Sequence, residues 1–171
     1  MATAGRNLDL AFIDSSVWIE YYHPKGSPAV RDAVRQAILE GRVLTSPVVA
    51  AEILQGARDD AAFQLLAADF AAYNVTPLDL HTAQTAAVLL RHLANQGRRV
   101  PVIDALIAAS AALQGAELWH LSDPHFEWLA MAAAAVLPAR PLRTRRFSQH
   151  RPPADGSAAA AGDEGNAPPQ G

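Results

Sequence analysis

Short apolar segments alternate along this chain with longer stretches of helical periodicity. The segment "LDLAFID" is an apolar run that ends at Asp14, and residues 27–41 then form an amphipathic stretch. Ser27 followed by Pro28 is typical of a helix start, and Gly41 is typical of a helix end. The alternation predicts an α/β fold whose mainly parallel central sheet is covered by helices on both faces.

The same periodicities give bounds for the remaining elements. We expect strands at residues 8–14, 42–45, 73–78, 116–121 and 134–139. We expect helices at residues 27–41, 46–57, 60–70, 79–95, 104–113 and 123–132. The helix that begins at Asp104 is apolar all round, which predicts packing on both of its sides.

The C-terminal part differs in composition from the rest of the 171-residue chain. Residues 139–151 form a basic flank, because no carboxylate lies between Glu127 and Asp155. Residues 152–171 are rich in Pro, Gly and Ala and predict a disordered tail. The net charge of −3 argues against nucleic-acid binding by the whole surface. The arginines of the basic flank, however, could contact the phosphate groups of a nucleic acid. The alternative is that these basic residues are simply exposed to solvent and bind no phosphate.

Several classes of protein are excluded or disfavoured by what the sequence lacks. The chain has no cysteine, which excludes disulfides and thiolate metal sites and fits a reducing compartment. We find no signal peptide and no apolar run that could cross a bilayer, so we expect a cytoplasmic protein without a membrane partner. Neither zinc-hydrolase histidine spacing nor a glycine-rich phosphate loop occurs. We expect structural roles for His120 and His125, which flank Asp123.

Four carboxylates stand where the predicted fold would bring them together. Asp14 and Asp123 follow strands, Asp104 opens a helix and Glu52 lies among apolar residues. Ligands of open α/β sheets bind beyond the carboxyl ends of the strands, so these groups can converge. Each Asp could instead cap a helix, but Glu52 has no basic partner one turn before it. A divalent cation would relieve the repulsion within such a cluster, and oxygen ligands favour Mg²⁺ or Mn²⁺ over zinc.

Three segments resemble the successive motifs of PIN-domain ribonucleases, specifically the VapC-type toxins of toxin–antitoxin pairs. They are "FIDSSVWIEYY", "SPVVAAEILQG" and "RRVPVIDALIAASAALQGAELWHLSDPHFEWLA", and the resemblance covers a PIN-like nuclease domain at residues 8–138. It implies that a catalytic, metal-binding quartet falls on Asp14, Glu52, Asp104 and Asp123. It also implies that Ser16 holds the carboxylate of Asp14. Two positions depart from the last motif, since Leu121 replaces a threonine and His125 replaces a second aspartate.

The resemblance implies a Mg²⁺-dependent endoribonuclease toxin that cuts structured RNA, often tRNA. It also implies a homodimer and a cognate antitoxin that silences the enzyme. We expect RNA contacts from two sets of arginines: Arg98 and Arg99, and Arg143, Arg145 and Arg146. Six large aromatic residues predict either an apolar interface near the site, if some of them are exposed, or a wholly buried aromatic set in the core; these are Phe12, Trp18, Tyr21, Tyr22, Trp119 and Trp128.

Two other functions are compatible with parts of the pattern. One is a catalytically idle PIN module that binds RNA or a protein partner, which loss of a quartet residue would favour. The other is a Mg²⁺-dependent phosphatase of the haloacid-dehalogenase type. That chemistry needs an Asp-x-Asp pair after the first strand, and the second position of the pair is Ser16 here.

Overall fold

The computed structural model describes residues 10–148, which form one five-stranded sheet and seven helices. The strands are β1 (Ala11–Ile13), β2 (Val43–Thr45), β3 (Asn74–Val75), β4 (Glu117–Leu121) and β5 (Arg143–Phe147). The helices are α1 (Ser15–Tyr22), α2 (Pro28–Leu39), α3 (Pro47–Leu54), α4 (Asp60–Ala72), α5 (Leu80–Ala94), α6 (Val102–Leu113) and α7 (Pro124–Val136). Within the described part, no helix is long and apolar enough to span a bilayer.

All neighbouring strands of the sheet pair in parallel, in the order β3-β2-β1-β4-β5. The three residues of β1 are fully buried although successive side chains of a strand point to opposite faces. Both faces of the sheet centre must therefore be covered, as in other parallel sheets. The prediction of an α/β fold with a mainly parallel sheet is confirmed.

The helices pack in two groups. Helices α5, α6 and α7 contact one another, while α1 contacts α2 and α3, and α3 contacts α4. Helix α6 also touches α3, which brings the two groups together. The alanine-rich side of α6 is buried from Ala105 to Ala112 apart from Leu106, so the prediction that this helix packs on both sides is confirmed.

The last strand lies further along the chain than the sequence predicted. Residues 134–139 do not form a strand, because the alanine-rich α7 continues to Val136. Strand β5 instead pairs with β4 from Glu117↔Arg143 to Leu121↔Phe147. The sheet thus extends beyond residue 138, into the segment predicted as a basic flank. The predicted tail at 152–171 and Arg151 lie outside the described residues.

The arginines of β5 are tolerated because this strand lies at an edge of the sheet. The guanidinium carbon of Arg145 lies 4.7 Å from the ring centroid of Trp119 and 4.8 Å from that of Phe147. Arg143 donates to the carbonyl of Gly115, and Arg146 pairs with Glu127 at 3.1 Å. These guanidinium groups are therefore engaged with the protein.

Helix α1 was absent from the sequence prediction. Its residues include β-branched and aromatic side chains that favour strands, but Asp14 caps its first turn. The ring of Trp18, one turn in, is fully buried and lies 5.0–5.8 Å from four aromatic rings. These four rings belong to Tyr21, Tyr22, Phe70 and Tyr73.

The large aromatic residues do not form the exposed interface that the sequence suggested. Phe12, Trp18 and Trp119 are buried in the core. Tyr21, Tyr22 and Trp128 are half-buried and pack against that core. The apolar residues that are exposed are mostly aliphatic, among them Ile19 at 58% exposure.

Candidate metal centre and active site

Asp14 lies at the carboxyl end of β1, where it caps α1. Its carboxylate accepts hydrogen bonds from the backbone N–H of Ser16 at 3.0 Å and from the Ser16 hydroxyl at 2.6 Å. The Ser16 oxygen in turn accepts from the backbone N–H of Leu121 at 3.1 Å. One hydroxyl group therefore fixes the Asp14 carboxylate relative to the end of β4. Asp14 is only 6% exposed.

Asp104 occupies the first turn of α6, three positions after the N-cap Pro101. The helix start has no side-chain cap, so the alternative that Asp104 serves as a cap is wrong. Its Oδ2 instead lies 2.9 Å from Nδ1 of His125, and its side chain is 18% exposed. Nothing in the local backbone requires a carboxylate at this position.

Asp123 lies just after β4 and caps α7. Its Oδ1 accepts from the backbone N–H of His125 at 2.8 Å and lies 3.3 Å from Nδ1 of the same residue. The His125 ring therefore stands between two carboxylates. Capping and site formation are compatible here, as they are for Asp14, because both aspartates stand at helix starts beyond strand ends.

Glu52 lies on α3 and is half-buried. Its Oε2 atom is inaccessible to solvent and has no hydrogen-bond partner among residues 10–148. A buried carboxylate oxygen without a partner is costly unless a cation or a proton satisfies it. Within the described chain, Glu52 is the residue whose environment most directly calls for a ligand that the protein itself does not supply.

The four carboxylates are electrostatically coupled. Burial raises the pKa of Asp14, which hydrogen bonds from Ser16 oppose. Burial also raises the pKa of Glu52, a hydrogen bond from the Ser15 side chain opposes this, and the charges of Asp14 and Asp104 raise it further. The pKa of Asp104 is raised by burial and by Asp123 and Asp14, while the hydrogen bond from His125 lowers it. Asp14, Glu52 and Asp104 thus resist ionisation in the absence of a compensating positive charge.

A divalent cation fits this donor set. The carboxylates offer hard oxygen ligands, the Oε2 of Glu52 lacks a partner, and Asp104, Asp123 and His125 place one ligand atom each within 4.8 Å of one another. Asp14 and Glu52 lie outside this group of three, but the charges of Asp14 and Glu52 interact with that of Asp104. The structure therefore brings all four acidic residues of the sequence analysis to one end of the sheet.

His125 is the residue of the centre whose role the sequence left open, because its position beside Asp123 allowed either a structural role or a supporting role in the site. A structural role was expected for it, yet its ring nitrogen contacts two of the four acids. The available signal was its position two residues after Asp123 in the first turn of a helix. His120, by contrast, is fully buried, with Nδ1 2.6 Å from the carbonyl of Leu121 and its ring against Phe126.

Two clefts border the centre. A cleft of about 930 Å³ lies between the start of α6 and His125, and its lining includes Arg98 and Arg99. Arg98 lies over the ring of Trp128, with 5.3 Å between its guanidinium carbon and the ring centroid. The other cleft, of about 530 Å³, is largely apolar and contains Ile19, Ile53 and Leu66 beside Glu52.

Comparisons with known proteins identify the family of this chain. The PIN domain model matches residues 11–130. Ribonuclease VapC11 of Mycobacterium tuberculosis is 34% identical over 127 residues, which cover 71% of this chain and 92% of that protein.

Solved structures give the same fold. FitAcB from Neisseria gonorrhoeae superposes with a TM-score of 0.62 at 19% identity, covering 79% of this chain and 96% of that one. VapBC-5 from Mycobacterium tuberculosis, a toxin–antitoxin complex, gives a TM-score of 0.52 at 25% identity, covering 81% and 99%. The chain therefore belongs to the PIN-domain family and, within it, to the VapC ribonucleases.

Proposed function

We propose that this protein is a metal-dependent endoribonuclease toxin that cleaves structured RNA, with tRNA as the first candidate, and that a cognate antitoxin neutralises it. The observation that carries the proposal is that Asp104, Asp123 and His125 meet at the end of the sheet where Asp14 also lies, while Glu52, whose charge interacts with those of Asp14 and Asp104, has a buried Oε2 without a partner in residues 10–148. No quartet residue is lost, so nothing favours an idle PIN module. The fold and the Ser16 position argue against the phosphatase alternative.

The contacts of the residues in the centre support a specific role for each of them in binding the cation. Asp14 and Asp104 would be the central ligands of Mg²⁺ or Mn²⁺, with Glu52 and Asp123 completing the cluster. When bound, the cation supplies Lewis acidity at a phosphodiester and a water of lowered pKa. Ser16 fixes the orientation of the Asp14 carboxylate through its two hydrogen bonds. The low exposure of Asp14 limits competing water around that ligand.

The location and assembly of the protein follow from the same proposal. We place the enzyme in the cytoplasm, where its RNA substrate is found. An antitoxin segment with apolar side chains and one basic group would suit the cleft beside Glu52, because Ile19, Ile53 and Leu66 line it. The homodimer stays a prediction, which light scattering would test against the 18.2 kDa monomer mass.

Expression of this chain alone in a bacterial host is expected to arrest growth. Asp14→Asn should relieve the arrest, because asparagine also caps helices but lacks the ligand charge. Co-expression of the protein encoded by the neighbouring gene should restore growth as well. Colony counts after induction measure all three conditions, with equal protein levels checked on blots. Growth unaffected by the parental chain at full expression would contradict the toxin assignment.

RNA should approach the centre over Arg98 and Arg99, which share the 930 Å³ cleft with His125. We expect Arg99→Gln to weaken RNA binding and to reduce the slope of log K against log salt by about 0.7–0.9, as one phosphate contact is lost. Arg35→Gln, on the exposed surface of α2, makes the same charge change and should leave the slope unaltered. Binding isotherms on an Asp104→Asn background avoid cleavage during the measurement.

The second set of arginines is tested in the same way. Arg143 donates to the carbonyl of Gly115, Arg145 lies over Trp119 and Arg146 pairs with Glu127. None of these three arginines lines the 930 Å³ cleft beside His125, so we rank them below Arg98 and Arg99 as RNA contacts. A larger loss of slope per arginine from the triple Gln substitution than from Arg99→Gln would reverse this ranking.

A further inference from the structure

The side chain of His125 stands where two candidate ligands meet. Its Nδ1 lies 2.9 Å from Oδ2 of Asp104 and 3.3 Å from Oδ1 of Asp123. An octahedral ion bound at about 2.0–2.2 Å places neighbouring ligand atoms about 3 Å apart. The two separations from Nδ1 are therefore close to those expected for adjacent ligands of one cation, and all three ligand atoms lie within 4.8 Å of one another.

The ring is oriented by its surroundings. The backbone N–H of His125 is bound to Asp123, and the ring packs against Trp128 with 5.6 Å between the ring centroids. The half-buried side chain thus directs Nδ1, rather than carbon atoms, at the two carboxylates. An imidazole nitrogen that carries no proton is a good ligand of transition-metal ions.

We propose that Nδ1 of His125 is a direct ligand of the catalytic cation and that it shifts the preference of the centre from Mg²⁺ toward Mn²⁺. The inference rests on the proposed metal-dependent function. Mg²⁺ takes oxygen ligands, whereas first-row transition ions also accept imidazole nitrogen. The histidine thus occupies the position where related toxins carry a second aspartate, and it replaces a charged oxygen donor by a neutral nitrogen donor.

The competing role for His125 is to position the Asp104 carboxylate without contacting the cation. In that case His125 donates its Nδ1–H to Asp104 and stays protonated at this atom when the cation is bound. Both roles predict lower activity on substitution, so activity cannot separate them. Only direct ligation places a nitrogen nucleus in contact with the ion.

Pulsed electron paramagnetic resonance of the tag-free chain loaded with Mn²⁺ makes the distinction. The parental chain is expected to show modulation from a directly bound ¹⁴N nucleus. His125→Asp should still bind Mn²⁺ through carboxylates but lose this modulation, and its Mn²⁺ to Mg²⁺ affinity ratio should fall. The control His81→Asp alters an exposed histidine on α5 and should keep the nitrogen signal.

The outcomes separate the two proposals. Mn²⁺ bound without nitrogen modulation in the parental chain, or modulation that survives in His125→Asp, would overturn the role of His125 and leave the proposed function standing. A parental chain that binds no Mn²⁺ at all would overturn the metal-dependent function together with it. Asp104→Asn shows what the absence of Mn²⁺ binding looks like in this measurement, because this variant should lose Mn²⁺ whether or not His125 is a ligand.

Discussion

Replacing Asp104 with Asn is expected to lower the rate of metal-dependent RNA cleavage by about three orders of magnitude, or roughly 4 kcal/mol in the activation free energy. The amide has nearly the shape of the carboxylate but removes the charge that holds the cation. Cleavage of a structured RNA in the presence of Mg²⁺ or Mn²⁺ measures the effect. Excess chelator should reduce the parental enzyme to the same level.

The fold of this variant should remain intact, for an electrostatic reason. Burial and the charges of Asp123 and Asp14 raise the pKa of Asp104, so the ionised group is unfavourable in the metal-free protein. The neutral amide removes that repulsion, and the metal-free variant should unfold no more readily than the parent. The control Asp32→Asn makes the same charge change on the exposed surface of α2 and should cleave normally. Parental activity in Asp104→Asn would refute the assigned centre.

Replacing Trp18 with Ala is expected to reduce the free energy of unfolding by about 3–5 kcal/mol. The side chain is fully buried and packs against four aromatic rings, so its removal leaves a large cavity between α1 and the region of α4. A domain of this kind has a total stability of about 5–15 kcal/mol, so a large part of it would be lost. Denaturant unfolding followed by circular dichroism measures the change.

The neighbouring residue provides a matched control for this loss. Ile19 lies on the same helix turn but is 58% exposed, so Ile19→Ala should cost no more than about 1 kcal/mol. Trp18→Phe should lie between the two, because it keeps most of the ring packing and removes an indole N–H that has no partner in residues 10–148. Equal losses for Trp18→Ala and Ile19→Ala would show that the aromatic cluster does not stabilise the fold.

The parts of the site that the sequence predicted are those with a strong local signal. Asp14 and Asp123 follow apolar strands, and parallel strands bring such positions to one edge of a sheet. Glu52 was recognisable because a charged residue stood without a partner among apolar neighbours, and its Oε2 is indeed buried without one. An aspartate directly after an apolar strand and a glutamate among apolar residues can both be recognised in the amino-acid sequence alone.

The parts that were missed depend on tertiary context. Strand β5 contains three arginines in five residues, and only the ladder with β4 and the rings beneath Arg145 make it a strand. Helix α1 carries residues of strand propensity and is helical because of its cap and the packing of Trp18. The role of His125 required distances to Asp104, which is 21 positions away in the chain. No local periodicity contains such information.

The hydrogen bond from the backbone of Leu121 to the hydroxyl of Ser16 joins residues that are 105 positions apart. During synthesis, Asp14 and Ser16 leave the ribosome long before β4, the strand whose end binds Ser16, has been made. Strand β1 can complete its pairing with β4 only after residue 121 has emerged, and Asp123 follows two residues later. Contacts of such long range form late in folding. A nascent or prematurely released chain that stops before residue 121 therefore lacks the strand pairing and the hydrogen bond that hold Asp14 in place at the end of the sheet.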